Sequence, residues 1–250
     1  NNICFWYKKN LPVLSNISFK VKNGENVFIL GPNGTGKTTL LKCLCGIMRP
    51  KDGEAYLDGK NIGNMSAVQR AKRIGYVPQM GNDVFGTEAI DIIMMGRSAG
   101  TGRRLTENDK EAVFRIIEKM EIEKLIYKKI NEMSGGERQK VFIARALAQE
   151  PDVMILDEPT AALDIKNQFE TMKFLTSLAH KRNIAVIMSA HDLNIAALFA
   201  DKIIMLKGSR IYKYGSPKET ITNENIKSVY GIEVYTEEKF GGVQIMLKKQ

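Results

Sequence analysis

Gly31-Pro32-Asn33-Gly34-Thr35-Gly36-Lys37-Thr38-Thr39 spaces three glycines ahead of a lysine and two hydroxyls. That set of groups suits an anion carrying several phosphoryl oxygens. Backbone N–H groups from Asn33 to Thr38 can curl around β- and γ-phosphates, and the glycines permit the curl without placing side chains in the way. In such a loop Lys37 reaches the terminal phosphates and the Thr38 hydroxyl ligates Mg²⁺. Asn33, Gly34, Thr35, Gly36, Lys37, Thr38 and Thr39 are therefore the expected phosphate contacts. Far along the chain, the apolar run Val153-Met154-Ile155-Leu156 ends in Asp157-Glu158. Two acids at one strand end can divide the work: Asp157 holds Mg²⁺, directly or through water, and Glu158 polarises an attacking water.

Five further stretches could offer groups to the same chemistry. Gln79, after Tyr76-Val77-Pro78, could ligate the metal or orient water, or it could be a loop amide bonded to backbone. His191 follows an apolar run and could donate to the γ-phosphate or to the Glu158 network. Ser134-Gly135-Gly136-Glu137 stands at a helix entrance. Ser134 and Glu137 make a capping box, whereas bare glycine N–H groups there could bind a second anion. One chain has no evident need for two γ-phosphate sites. Ala161-Ala162-Leu163-Asp164 follows Pro159. Tyr7 could stack on a base, but its spacing alone reads as an ordinary strand aromatic.

These groups need a scaffold of alternating strands and helices. Val27 to Leu30 reads as a strand, the glycine run as a loop and Leu40 to Cys45 as a helix, with Gly46 and Pro50 stopping it. Strands are also expected over Ile3 to Tyr7, Ser15 to Val21, Glu54 to Leu57, Arg73 to Gln79, Val153 to Leu156 and Ile184 to Ser189. Asn23-Gly24 and Asp58-Gly59 read as turns. Lys202 to Leu206, the turn Lys207-Gly208-Ser209 and Arg210 to Tyr214 read as a hairpin. Asn225 to Tyr230 reads as a short helix and Val243 to Leu247 as a strand. From Thr87 to Tyr127 the periodicity is helical: Thr106 to Asp109 form a capping box, and Val113, Ile116, Ile117 and Met120 line one face. This span reads as a helical lobe inserted into the nucleotide-binding part. There is no internal repeat and no low-complexity linker.

The 250 residues suffice for one large α/β domain, and 44% hydrophobic content provides its core. No stretch approaches the run of about 20 apolar residues that crosses a membrane. No charged-apolar-small leader is seen, and the absence of an initial Met points to a few residues missing or processed. Cys4, Cys43 and Cys45 read as reduced cytosolic thiols, since Cys43 and Cys45 diverge on one helix. The net charge of +9 is spread along the chain without aromatic interleaving, which ranks nucleic acid last among partners and leaves an anionic membrane surface in play.

Taken together, the segments resemble the ATP-binding subunit of ABC transporters over nearly the whole chain. Gly31 to Thr38 match Walker A, Gln79 the Q-loop, Ser134 to Glu137 the signature, and Val153 to Glu158 Walker B. Ala161 to Asp164 match the D-loop, His191 the switch, and Phe5-Trp6-Tyr7 the adenine-stacking A-loop. The resemblance implies an α/β, RecA-like P-loop NTPase core with an antiparallel β subdomain and an inserted α-helical subdomain. It forms a single domain over 1–250, with core and β subdomain in 1–86 and 150–250 and the helical subdomain in 87–149. It also implies ATP and Mg²⁺, with Glu158, His191 and Gln79 catalytic and Thr38, Gln79 and Asp157 at the metal. Tyr7, Asp164 and the loop residues would contact nucleotide, and Ser134, Gly135 and Gly136 would act in trans, in a second copy facing the first head to tail. Permease subunits on the cytoplasmic face of the membrane, and through them a substrate-binding protein, are the implied partners.

Ala71 to Gln79, Thr87 to Arg97, Ser134 to Gln139, Ala190 to Asn194 and the tail from Gly215 to Gly231 resemble the importers of iron chelates, haem and vitamin B12. Some members of that group carry molybdate-type oxyanions. Three positions depart from the pattern: Met133 replaces the usual Leu, Ala161 stands where Ser is common, and Ser98-Ala99-Gly100 replace an aromatic and a proline. Asp83-Val84-Phe85-Gly86 has the D-x-x-G spacing of a GTPase, but no Asn-Lys-x-Asp motif accompanies it. A chromosome-structure ATPase would carry a long coiled coil where this chain has a compact lobe. A soluble ATPase of iron–sulfur cluster assembly shares the core, and the importer-like tail argues against it.

Overall fold

The computed structural model describes residues 1–79, 86–98, 105–239 and 242–248. Residues 80–85, which hold most of the loop after Gln79 and of the Asp83 to Gly86 stretch, and Ala99-Gly100 lie outside them.

In chain order the elements begin β1 (Ile3–Lys8), β2 (Leu11–Ile17), β3 (Asn26–Leu30), α1 (Lys37–Leu44), β4 (Tyr56–Leu57), β5 (Lys60–Asn61), α2 (Ala67–Arg73) and β6 (Ile74–Val77). Next come α3 (Ala89–Ser98), α4 (Glu107–Lys119), α5 (Gly135–Leu147), β7 (Val153–Leu156), α6 (Ile165–Arg182), β8 (Ala185–Ser189) and α7 (Leu193–Phe199). The chain finishes with β9 (Lys202–Lys207), β10 (Arg210–Gly215), α8 (Pro217–Thr220), α9 (Asn223–Tyr230), β11 (Val234–Lys239) and β12 (Gly242–Leu247).

Six strands form the central sheet in the order β10-β9-β3-β8-β7-β6, parallel except for the edge strand β10. The central strands are apolar on both faces, as a parallel sheet covered on both sides requires. Alternate residues sort into two cores. Phe28, Leu30, Met154, Leu156, Val186 and Met188 join the apolar cluster shared with α3 to α7. Val27, Ile29, Val153, Ile155, Ala185 and Ile187 join the cluster shared with α1, β1 and β2. Leu40 and Leu41 of α1 are fully buried there, each stabilising the layer by about 1.5–3 kcal/mol.

The helical lobe, α3 to α5, has no separate core. Val113, Ile116, Ile117 and Met120 belong to the same cluster as Phe28 and Leu30 of the sheet. Thr106 caps α4 with Asp109 completing the box, as its spacing predicts. Arg97 pairs with Asp109 at 2.9 Å and with Glu150 at 2.7 Å, fastening α3 to α4 and to the turn after α5. Thr106 and then Arg97 hold the Asp109 carboxyl well below the usual range. Met133 is buried, in keeping with its replacing a leucine.

The expected strand over Ser15 to Val21 is corrected. The strand begins at Leu11 and ends at Ile17, because a tight turn at Lys9-Asn10 pairs Lys8 with Leu11 and folds β2 back on β1. Bulges interrupt that pair, with a positive φ at Asn16, and the pairing stops at Ile3 and Ile17, where β1 begins. The expected hairpin at Lys202 to Tyr214 is present as β9 and β10. Helices α2, α6, α7 and α8 and strands β5 and β11 have no counterpart among the expected elements. In α6 the exposed Ile165 and Phe169 on the outer side blur the apolar stripe of Met172, Leu175 and Leu178.

Candidate functional site

The phosphate loop sits between the carboxyl end of β3 and the first turn of α1. Two of its glycines are there because nothing larger fits. A Cβ on Gly31 would lie 2.7 Å from the Leu206 carbonyl oxygen, and one on Gly36 would lie 2.8 Å from that of Val13. Gly36 also has φ of 95° and is the N-cap of α1, and no side chain caps the helix. The first turn therefore presents its amides to whatever occupies the loop. The Thr35 hydroxyl donates to the Pro32 carbonyl at 2.8 Å and braces the curl. Lys37 is only 6% exposed, and its ammonium donates to the carbonyls of Gly31 at 2.7 Å and Pro32 at 3.3 Å. Burial lowers the Lys37 pKa, against the upward pull of Glu158 and Asp157.

Strand register brings the remaining groups to the same end of the sheet. Ile29 of β3 lies opposite Ser189 of β8, Met188 opposite Leu156 of β7, and Leu156 opposite Val77 of β6. Gln79, Asp157, Glu158 and His191 consequently all emerge beside the phosphate loop, at the carboxyl edge where open α/β sheets bind ligands. Asp157 is 1% exposed. Its Oδ1 accepts the Ser189 hydroxyl at 2.6 Å, and its buried Oδ2 has no hydrogen-bond partner among the described residues. A buried carboxylate oxygen left unpaired is costly, and a hard divalent cation is the partner its chemistry fits.

Glu158 sits at φ of 50°, a left-handed turn that swings its side chain off the strand end. Gln79 Nε2 donates to Glu158 Oε2 at 2.8 Å, and His191 Nε2 lies 2.5 Å from Glu158 Oε1. Each carboxylate oxygen is thus held by a residue from a different strand end. Neither reading of Gln79 included this contact with Glu158, whereas of the two readings of His191 the Glu158 network is the one observed.

The signature, Asp164 and Tyr7 make no hydrogen bond to this cluster among the described residues. Ser134 caps α5 and closes a complete capping box with Glu137. A Cβ on Gly135 or Gly136 would meet Ala162 or Leu163 at 3.1 and 3.2 Å, so the signature glycines back onto the turn after β7. No hydrogen bond among the described residues joins Ser134, Gly135 or Gly136 to the phosphate loop. Asp164 caps α6 through the Asn167 N–H at 2.8 Å, and that bond holds its carboxyl below the usual range. Tyr7 is 66% exposed and makes a T-shaped contact with Phe5 at 5.1 Å.

Two residues of the site have no role in the sequence reading. Ser189 bridges both acids, donating to Asp157 while accepting the Glu158 N–H at 2.9 Å. A single hydroxyl closing the apolar run Ala185-Val186-Ile187-Met188 is the signal that marks it. Tyr230, from α9, buries its hydroxyl near the Gly31 backbone, and burial pushes its pKa up to about 12. Nothing in local spacing announces that approach. Cys43 and Cys45 are free, as expected, and burial raises both thiols, Cys43 to about 11.

Residues 14–161 match a family model described as ABC transporter. The uncharacterized ABC transporter ATP-binding protein MJ0089 of Methanocaldococcus jannaschii is 44% identical over 229 residues, 92% of this chain and 89% of that protein. The petrobactin import ATP-binding protein FpuC of Bacillus anthracis is 35% identical over 88% of this chain and 82% of its own length. Among solved structures, an inward-facing metal-chelate type ABC transporter is similar with a TM-score of 0.83 at 29% identity, over 99% of this chain and 94% of that one.

Proposed function

The chain belongs to the ATP-binding subunits of ABC transporters, and from that premise we propose that it powers an importer of a metal chelate by hydrolysing ATP between two copies of itself. It is an ABC-type ATPase with a P-loop NTPase fold. The observation that carries the catalytic reading is Glu158, turned off the end of β7 and held by Gln79 and His191 beside Lys37 and Asp157.

In this reading Asn33 to Thr39 cradle the phosphates of ATP with the uncapped amides of α1. Lys37 exchanges its carbonyl bonds for phosphoryl oxygens, and the adenine stacks on the exposed Tyr7. Thr38 and Asp157 would hold Mg²⁺, with Gln79 within the same site, and the ion would supply neutralisation of charge on the phosphoryl oxygens. Glu158 accepts the proton of the attacking water. Its two oxygens are already oriented, so little reorganisation is needed once Gln79 or His191 yields one of them to water. His191 then senses the terminal phosphate.

Ser134, Gly135 and Gly136 make no hydrogen bond to the phosphate loop of their own chain among the described residues, which supports a head-to-tail dimer of isologous symmetry in which they meet the partner's nucleotide. Asp164, the residue directly after the Ala162 and Leu163 contacts, would lie at that junction. Residues 87–149 serve as the helical part of a single cassette, with 1–86 and 150–250 as the core. No helix among the described residues is long and apolar enough to cross a membrane. In this reading permease subunits form the transport path, with this chain bound at their cytoplasmic face and a substrate-binding protein delivering cargo. The petrobactin-import relative and the metal-chelate structural neighbour support a chelate as that cargo.

A tagged Glu158→Gln variant tests the reading as a whole. Its turnover is expected to fall by roughly 10²–10⁴-fold with ATP binding retained. In ATP it should elute as a dimer and carry a polytopic membrane protein out of detergent extracts. Wild-type turnover would remove Glu158 as the base, and co-purification with cluster-assembly proteins alone would sink the transporter assignment.

A further inference from the structure

His191 has a firm support on one side only. Strand β8 fixes the chain before it, while the chain after it enters α7, a helix of seven residues. Asp192 caps that helix, its Oδ1 accepting the N–H groups of Asn194 at 2.8 Å and Ile195 at 3.0 Å. The next anchor comes from elsewhere in the fold. Asn194 Oδ1 accepts the Ile245 N–H at 2.8 Å, and Asn194 Nδ2 donates to the Ile245 carbonyl at 3.3 Å. A side-chain amide has the same donor and acceptor pair as a peptide unit. Asn194 therefore pairs with β12 as one residue of a neighbouring strand would. Around this pair, Ala196 and Ala197 of α7 share one apolar cluster with Val234 and Val243 of the β11–β12 hairpin, and Ile245 packs against it.

We propose that Asn194 is a positioning residue for His191, and that the C-terminal hairpin β11–β12 is thereby part of the hydrolytic switch. The inference rests on the role given to His191 above. Untethered, the first turn of α7 can shift, and the imidazole two positions before Leu193 loses its fixed approach to Glu158 Oε1. Glu158 and the phosphate loop keep their own supports, so chemistry suffers while nucleotide binding does not. Small displacements of a catalytic group cost rate steeply.

Steady-state ATP hydrolysis by the full chain and by His191→Ala, Asn194→Ala and the double variant tests this, with melting temperature followed in parallel. Asn194→Ala is expected to lower kcat by about 10- to 100-fold while KM for ATP stays within about two-fold. In the His191→Ala background the same change should cost nothing further, because its effect passes through the histidine. Asn194→Asp keeps the oxygen that accepts the Ile245 N–H and should lose less than Asn194→Ala; it carries the test if the alanine variant does not fold. Equal losses in both backgrounds, or a raised KM with kcat intact, would overturn the proposal while leaving His191 catalytic. Wild-type kcat in His191→Ala would instead bring down the histidine's assigned role, and this inference with it.

Discussion

Helix α1 starts behind Gly36 with no side chain closing its first turn, whereas α5 starts behind Ser134 with both halves of a capping box in place. Both starts carry glycines and both point a positive helix end at solvent, yet their amides are committed differently. At α1 the loop leaves N–H groups for a ligand, and Lys37 and the buried Asp157 stand beside them. At α5 the Ser134 hydroxyl accepts the Glu137 N–H at 3.2 Å, the Glu137 carboxylate accepts the Ser134 N–H at 2.8 Å, and Lys128 holds Glu137 at 3.0 Å. What α5 can still offer a phosphate is the amides of Gly135 and Gly136. The first start is a cradle built by one chain. The second is a finished helix end whose spare groups make no hydrogen bond to that cradle among the described residues and suit a site completed by another copy.

The contrast can be broken most sharply at Ser134. Replacing it with arginine fills the face that a second copy would meet, and hydrolysis is expected to fall by at least about 100-fold. Activity of the unaltered protein should also rise faster than linearly with its concentration; strict proportionality down to dilute monomer would show that α5 takes no part in the site. A smaller effect is expected at Gly36. Alanine there must adopt φ of 95° against the Val13 carbonyl, a strain of about 1–3 kcal/mol that should appear as a lower Tm together with weaker ATP binding. An unchanged Tm would mean that the loop yields, and that the cradle is not preset.

The smallest effect concerns the pH dependence of the α5 cap. The Ser134 backbone N–H, and then Lys128, hold the Glu137 carboxyl below its ordinary value of 4.5. A depressed folded pKa means that its stabilisation is complete above that ordinary value and is lost as pH falls through the folded one. Glu137→Gln should therefore lower Tm slightly at neutral pH and flatten the decline of Tm below about pH 4.5, as melting curves between pH 7 and 3 would reveal. A decline as steep as in the unaltered protein would place the cap's contribution elsewhere.

Local spacing reached far into this molecule. The Thr106 and Ser134 caps, the strand that ends in Asp157-Glu158 and the β9–β10 hairpin all follow from residues within a few positions of one another. Where sequence reading went astray, the deciding contact was distant or the pattern was diluted. Strand β2 moved because its start depends on pairing with β1, and α6 was hidden by apolar residues on its exposed side.

By itself, the sequence determined that the chain carries a phosphate loop, two acids at a strand end and a second glycine-rich helix start. Each of these is a property of neighbours along the backbone, enforced by steric limits on φ and by the reach of one side chain. Only the tertiary structure decided that Gln79 and His191 would take one oxygen each of Glu158, that Ser189 would bridge the two acids, and that Asn194 would clasp Ile245. Those contacts join residues on different strands and helices. Parallel register, set by two apolar cores that each accept only every second side chain, places the Gln79, Glu158, His191 and Ser189 contacts at one edge of the sheet.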